Sequence, residues 1–403
     1  MQISVIGLGI EGKKAINSLK SRHYNIYASD LNKNIDLDNY DVDIDLGFHD
    51  FKKIEKSDAI ILSPSLWNIK KFERFKLEHK LLSDILTKHK DIYTIAVTGT
   101  NGKTTTTTMI YNILKNNGLN VLVGGNAGGG FDGYNELILE ANETNYDIIL
   151  IEVCDMTLEY CDYTFDIDLV VLTNMEEDHM NVHKTMDNYY QKVRNFIKNK
   201  TSVINENYKM LFTSNNENIH YYNMYKGNLS LKGEFNKFNA CAAYTACKLL
   251  NIDLNSIKKS LSIFKGVEGR SKYYTINNCE LLVGKTDNAH ATKVALSEKY
   301  FEVVFLGTPR DNELWRLELF KEAINTKPKT IIIFPGLSNN VDNIYKKVLT
   351  INNNIKIIKV NELNNLFDLI KKMTHISKTI FIGGNGQDNI IKIQKMLDNL
   401  YEV

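Results

Sequence analysis

Apolar residues come in short runs separated by longer, periodically apolar stretches. The runs are Ile3–Ile6, Ile26–Ala28, Ala59–Leu62, Ile95–Val97, Val121–Val123, Ile148–Ile151, Val170–Leu172, Val303–Leu306, Ile331–Phe334 and Ile380–Ile382. Runs of this length, rich in Ile, Val and Leu, predict strands buried on both faces of a parallel sheet. Stretches between them, such as Lys13–Lys20, Thr104–Asn116 and Met186–Lys198, carry helical spacing. Strand and helix in alternation predict an α/β chain with its parallel sheets covered on both sides. Leu81–Lys90 reads as a Lys-rich helix before a new strand, which puts a boundary near Asp91. A second boundary falls around Lys265–Glu268. Three domains result, 1–91, 92–265 and 266–403, in keeping with a chain of 403 residues that exceeds what one core usually supports. The clusters Asn215–Asn218 and Asn352–Asn354 read as surface loops.

Charge removes several classes of partner. Lys plus Arg (49) nearly cancels Asp plus Glu (48), so no global field points to nucleic acid or an anionic membrane. No apolar run approaches the roughly 20 residues that span a bilayer. The start, Met1-Gln2-Ile3-Ser4-Val5-Ile6-Gly7, reads as a first strand and lacks the basic opening of a signal peptide. Cys154, Cys161, Cys241, Cys247 and Cys279 show no metal-ligand or CxxC spacing, which predicts reduced, buried thiols. The expectation is a cytoplasmic monomer acting on small molecules.

The most informative segment is Ile95-Ala96-Val97-Thr98-Gly99-Thr100-Asn101-Gly102-Lys103-Thr104-Thr105, which joins a strand to a helix. Glycines let the backbone wrap an anion, and amides at a helix start point toward it. Lys103 adds a point charge for the β- and γ-phosphates, and Thr104 a hydroxyl for Mg²⁺. Val97 stands where the common Walker A pattern has its first Gly. A hard divalent cation also needs a carboxylate, and Glu152, ending the run Ile148–Ile151, is the best placed. His179 follows the strand Val170–Leu172 and is a candidate for a second metal or the γ-phosphate. Asn236 and Asn239 share a helix face at a spacing of three.

Thr-Gly-Thr-Asn-Gly-Lys-Thr-Thr, residues 98–105, resembles the nucleotide loop of the Mur ligases. The likeness continues in chain order. Gly124-Gly125-Asn126-Ala127-Gly128 is similar to the Gly-Gly-Asn-x-Gly of the branch that adds D-glutamate to UDP-muramoyl-alanine. Glu152-Val153-Cys154-Asp155-Met156-Thr157-Leu158-Glu159 falls where that branch has Glu-Leu-Ser-Ser-Phe-Gln-Leu-Glu. Thr173-Asn174-Met175-Glu176-Glu177-Asp178-His179-Met180 matches Thr-Asn-x-x-x-Asp-His-Met. Leu231–Ala240 is similar to Leu-x-Gly-x-His-Asn-x-x-Asn-Ala, with Phe235 in place of His. Gly266-Val267-Glu268-Gly269-Arg270 resembles Gly-x-x-Gly-Arg, and Asp287-Asn288-Ala289-His290 resembles Asp-Tyr-Ala-His. Gly383-Gly384-Asn385-Gly386-Gln387-Asp388 falls where some members have Gly-Lys-Gly-His-Glu, and reads equally as a plain loop.

The resemblance implies a Rossmann-like first domain that holds the donor, a central P-loop ATPase-type sheet, and a Rossmann-like C-terminal acceptor domain. It implies ATP and Mg²⁺, with Gly99, Thr100, Asn101, Gly102, Lys103, Thr104, Thr105, Asn236, Asn239, Arg270 and Asp287 on the nucleotide. Thr104, Glu152 and His179 would hold metal, and Lys103, His179 and Arg270 would serve the chemistry. Gly9, Ile10, Asn126, His290 and Arg310 would face the substrates. The implied reaction activates a donor carboxylate, UDP-linked in the bacterial branch, as an acyl phosphate for attack by an amino acid or amine. Murein or pseudomurein precursor synthesis is the first reading; ring closure on a methanogen nickel-tetrapyrrole cofactor is the second.

Three departures bear on these implications. The position counted for the family's carbamylated lysine holds Arg194, and Glu176, Glu177 and Asp178 are the nearby carboxylates that could compensate. Glu11 would face a pyrophosphate with the wrong charge. Gly7-Leu8-Gly9-Ile10-Glu11-Gly12, with Asp30 ending the next strand, also fits a dinucleotide fingerprint, so a nicotinamide oxidoreductase is the rival class.

Overall fold

The structure, a computed structural model, describes residues 1–36, 40–212, 218–351 and 354–401. Most of the two Asn-rich loops, residues 215–217 and 352–353, lies outside the described residues. The chain folds into three sheets. The first holds β1 (Gln2–Ile6), β2 (Asn25–Asp30), β3 (Asp43–Leu46) and β4 (Ala59–Leu62) in the order β3-β2-β1-β4, all parallel. The second holds β5 (Tyr93–Thr98), β6 (Val121–Gly125), β7 (Ile148–Glu152), β8 (Leu169–Leu172), β9 (Thr201–Asn205) and β10 (Ile219–Tyr222). Its order is β10-β9-β8-β5-β7-β6, again all parallel. The third holds β11 (Lys272–Ile276), β12 (Cys279–Val283), β13 (Val303–Gly307), β14 (Thr330–Phe334), β15 (Lys356–Lys359) and β16 (Thr379–Gly384) in the order β11-β12-β16-β13-β14-β15.

Each apolar run singled out in the sequence lies in one of these strands. The additional strands are the less apolar ones at or toward the sheet edges, such as β3 and β15, whose residues are largely half-buried or exposed. The one departure from parallel pairing is β11 against β12. Asn277 and Asn278 connect them with φ of 52° and 60°, the left-handed pair that a two-residue hairpin turn requires. Leu81–Lys90 is not one helix. A single turn at Leu82–Ile85 gives way to a 3-10 turn at Lys88–Asp91, where buried His89 bonds the carbonyl of Thr164 at 2.8 Å. Packing of that imidazole, against Phe165 as well, overrides the local helix preference.

Two compact units emerge. The first comprises 1–175, 179–225 and 238–261, and the second 176–178, 226–237 and 262–403. In the first unit one apolar cluster runs from Ile3 through Phe212 and draws on both sheets. Polar ties reinforce it: Arg22 pairs with Glu140 at 2.8 Å and Glu143 at 2.9 Å, and the Tyr163 hydroxyl meets Asp84 at 3.1 Å. In the second unit the third sheet buries both faces. Phe305, Ile332, Phe334, Ile380 and Ile382 pack on one side, with Val304, Leu306, Ile331, Ile333 and Phe381 on the other. That alternation is the period of two expected of a sheet covered twice. No helix among the described residues is long and apolar enough to cross a membrane.

Candidate active site

Strand register brings the predicted groups of the first unit to one edge. Val97 of β5 stands opposite Glu152 of β7, Gly125 of β6 pairs the same Glu152, and Thr98 stands opposite Leu172 of β8. The loops leaving these strands therefore share the carboxyl end of the sheet, where open α/β sheets bind ligands. The loop after β5 is shaped by the one after β8. Thr173 donates through Oγ1 to the carbonyl of Asn101 at 2.7 Å, and Asn174 brackets Asn101 with two 2.9 Å bonds, one to its N–H and one from its own amide. Gly102 has φ +83°, and a Cβ there would lie 2.3 Å from Oδ1 of Asn239, so this loop needs glycine both for its turn and for the carboxamide above it. Lys103 opens the helix Lys103–Asn116 and turns back, donating to the carbonyls of Gly99 at 2.7 Å and Thr100 at 2.8 Å. Thr104 and Thr105 are buried behind it.

Glu152 sits beside this loop and is 1% exposed. Asn126 donates to its Oε1 at 2.9 Å, whereas Oε2 is buried with no hydrogen-bond partner. A buried carboxylate oxygen left unpaired costs free energy unless a cation or proton meets it. Its neighbourhood thus fits a hard divalent ion, with Thr104 offering a hydroxyl.

Three residues further along, Asp155 forms a cluster that sequence reading missed. Its carboxylate meets His179 Nδ1 at 3.1 and 3.2 Å and His183 Nε2 at 2.5 Å. His179 has φ +49° and Lys184 φ +69°, and between them Met180–His183 makes one helical turn. That turn puts residues 179 and 183 on one side, aimed at Asp155. His183 stacks on Tyr189 at 4.6 Å, and Tyr189 reaches Thr100 of the loop after β5 at 3.4 Å. Burial alone would raise the Asp155 pKa, but the two histidines outweigh it and hold the carboxyl well below the usual carboxylate range. Arg194 is exposed and donates to the carbonyl of Leu211 at 2.9 Å, so it takes no part here. The inward positions of its helix are Tyr189, Val193 and Phe196, with Lys192 half-buried.

In the first sheet, Gly9 and Ile10 are exposed at the loop after β1. Gly12 is the close contact: a Cβ there would stand 2.0 Å from the carbonyl of Gly7. Glu11 turns from this loop to the one after β6, accepting from the Ala127 N–H at 3.3 Å, with Oε2 buried and unpartnered. Burial pushes its pKa up to about 7, against the pull of that N–H. Lys14 bonds the carbonyl of Phe131 and Lys13 that of Asp36, and Lys14 reaches Glu11 only through its field. Asp30 is committed locally, accepting from Leu8 N–H at 2.6 Å and Asn32 N–H at 2.8 Å.

The second unit assembles the remaining candidates. Asp287 pairs with Lys285 at 2.9 Å and Arg316 at 3.3 Å, and Arg270 adds its field. Burial opposes ionisation of Asp287, yet these cations keep its pKa far below the ordinary value. Arg316, 7% exposed, was invisible to the motifs; it also donates to the Asp287 carbonyl at 2.5 Å and so fixes that segment. His290 faces Glu176 at 3.6 Å, and Asn288 donates to Asp178 at 3.2 Å. Glu176 and Asp178 are thus engaged within the second unit. Arg310 is exposed and paired with Glu313 at 3.2 Å. Asn236 is buried at the start of the helix Glu234–Leu249, donating to the Lys232 carbonyl at 2.7 Å.

Comparison with known proteins agrees with this geometry. Residues 97–227 match the family profile of the Mur ligase middle domain. The UDP-N-acetylmuramoylalanine–D-glutamate ligase of Bacteroides fragilis is 26% identical, the match covering 84% of each chain. The corresponding ligase of Alkaliphilus metalliredigens is 25% identical over 94% of this chain and 92% of its own. Among solved structures, a pseudomurein peptide ligase type C from Methanothermus fervidus shares the fold with a TM-score of 0.62, at 22% identity over 99% of each chain. UDP-N-acetylmuramate–alanine ligase from Thermotoga maritima also scores 0.62, at 18% identity over 100% of this chain and 99% of that one. The chain thus carries a Mur ligase middle domain at residues 97–227 and is similar to Mur ligases over most of its length.

Proposed function

We propose that the protein is an ADP-forming ligase that joins a donor carboxylate to an amine in cell-wall precursor synthesis. The observation that carries the reading is the loop Gly99–Thr105, with Lys103 inside it and the half-satisfied carboxylate of Glu152 alongside. Gly99–Thr105 would hold the phosphates of ATP, Asn239 would stand over the loop, and Asn236 would serve the base. Thr104 and Glu152 would bind Mg²⁺, which supplies charge neutralisation at the transferred phosphate. Lys103 leaves its two carbonyls for the phosphate oxygens. The donor carboxylate then attacks the γ-phosphorus, ADP departs, and the acceptor amine displaces phosphate from the acyl carbon. Arg270, Asp287 and His290 would act on the nucleotide and substrates from the domain 266–403.

Division into 1–91 for the donor, 92–265 for ATP and 266–403 for the acceptor accompanies this reading, with Gly9, Ile10 and Asn126 toward the donor. Strand order in the third sheet reverses between β13 and β16, and the loops after them carry Arg310 and Asn385. Asn385 is fully buried with both side-chain polar atoms unpartnered, which supports an acceptor site at that edge. The oxidoreductase reading loses ground because Asp30, which would bind a ribose, is already held by Leu8 and Asn32. Phosphate release measured with UDP-amino acids, UDP-peptides and tetrapyrrole acids tests the proposal. Turnover on a UDP-linked substrate is expected; turnover on tetrapyrrole acids alone would move the protein out of cell-wall synthesis, and none on any pair would sink the ligase reading.

A further inference from the structure

We infer that Arg316 is a positioning residue for the nucleotide contact, holding Asp287 so that one carboxylate oxygen is left for a ribose hydroxyl. The inference rests on the ligase reading for the place of Asp287 on the nucleotide. No motif marks Arg316, which rides on the short turn Leu314–Leu317 after β13. Asp287 is tied on one side. Lys285 Nζ stands 2.9 Å and Arg316 Nη1 3.3 Å from the same oxygen, Oδ2. Arg316 Nη1 also donates to the Asp287 carbonyl at 2.5 Å, so one guanidinium nitrogen fixes both the backbone and the carboxylate of that residue. Among the described residues no partner takes Oδ1, and the side chain is 25% exposed, which puts that oxygen within reach of a ligand.

Arg316 is held in turn. Its Nε lies 3.4 Å from Oε2 of Glu313, whose other oxygen meets Arg310 Nη1 at 3.2 Å. The side chains of Arg316 and Glu313 are both largely buried, so breaking their pair would strand a charge out of water. A planar guanidinium gripped at Nε and at Nη1 has its plane fixed, which an ammonium on a flexible stem would not. The surrounding charges also decide what Oδ1 can take. Lys285, Arg316 and Arg270 leave a net positive neighbourhood around Asp287, which disfavours a metal ion. A neutral hydroxyl donating to an ionised carboxylate meets no such objection and gains a charge-assisted bond. The sugar of a nucleotide offers such hydroxyls, and carboxylates bind them in nucleotide folds of this kind.

Calorimetric titration of the full chain with ADP and with 2′,3′-dideoxy-ADP, both with Mg²⁺, tests this. The parent should bind ADP about tenfold more tightly, the worth of a hydrogen bond to a charged group. Asp287→Ala should erase that preference, and so should Arg316→Gln, each by weakening ADP while leaving the dideoxy analogue unchanged. Arg316→Lys, which keeps a charge for Oδ2 and loses the grip of Glu313, should restore part of it. Glu313→Gln loosens the guanidinium without removing it and should leave about threefold, half the free energy of a tenfold preference. Melting temperatures taken alongside show whether Arg316→Gln has folded; if it has not, Glu313→Gln decides. A preference that stays tenfold in folded Arg316→Gln or in Glu313→Gln would overturn the inference. So would equal weakening of both ligands, the mark of a merely structural residue, and so would a parent that binds the two alike. No binding of ADP to the parent would remove the ligase reading itself, and this inference with it.

Discussion

Two strand-to-helix loops in the first unit share a glycine-rich shape and differ in charge. The loop after β5 places Lys103 inside its own curve, its ammonium within hydrogen-bond reach of two loop carbonyls. The loop after β1 has no cation at the equivalent place; its helix begins with Ile10 and Glu11, and Asp30 caps the backbone from the next strand. Both present helix-start amides that favour anions. A carboxylate about 4 Å from a phosphate opposes this by ~1 kcal/mol in water and several times that in a poorly solvated site. Glycines therefore set the form of an anion loop, and the charges beside them decide whether it is used as one.

The largest effect that could break this contrast belongs to Lys103. Lys103→Ala should cut ADP formation by about a thousandfold or more, since neutralising the transferred phosphate is most of the catalysis. Its melting temperature should barely move, and normal turnover in this variant would erase the difference between the loops. Glu152→Gln comes next. It keeps the bond from Asn126 and removes the charge, so we expect roughly a hundredfold loss of turnover and a higher Mg²⁺ requirement. Retained Mg²⁺ affinity would move the metal elsewhere.

Glu11 sharpens the contrast through stability. Its pKa rises from 4.5 to about 7, so the folded protein holds a proton there that the unfolded chain releases. That contribution is fully present below about pH 4.5 and is lost as pH rises through 7. Glu11→Gln should therefore be more stable than the parent at pH 8, by ~2–3 kcal/mol, and little different at pH 5. Chemical denaturation at both values measures it, and parallel curves would show Glu11 to be solvated. The smallest effect concerns the donor. Glu11→Thr should tighten UDP binding about tenfold, or ~1.4 kcal/mol, if the first domain holds UDP. Calorimetry of both proteins reads it, and NAD(H) should show no micromolar binding to either.

Legibility followed range along the chain. The glycine loop before the helix Lys103–Asn116, that helix, and the place of Glu152 at a strand end were plain in the sequence because their signals are local: a glycine pattern, a helical period, a strand end. Asp155 and His183 were not, because their meaning lies in a contact across 28 residues between two loops. Arg316 was missed for the same reason, acting on Asp287 from 29 residues away. Arg194 misled because residue counting ignores which helix face turns inward, and that face belongs to Tyr189 and Val193. In the fold, the runs Ile3–Ile6 of β1 and Ile95–Val97 of β5 announced themselves as wholly buried, whereas β11 and β15, half-solvated at the sheet edge, left no apolar run to find.

The apolar cluster that runs unbroken from Ile3 to Phe212 has a consequence for cooperativity. A shared core has no free energy minimum in which one sheet persists while its neighbour melts, because losing either strips water-excluding cover from the other. Heating should thus resolve no more than two endotherms from three sheets. A fragment ending at Asp91 would leave Trp67 without its contact on Tyr160 and would make a poor autonomous folding unit.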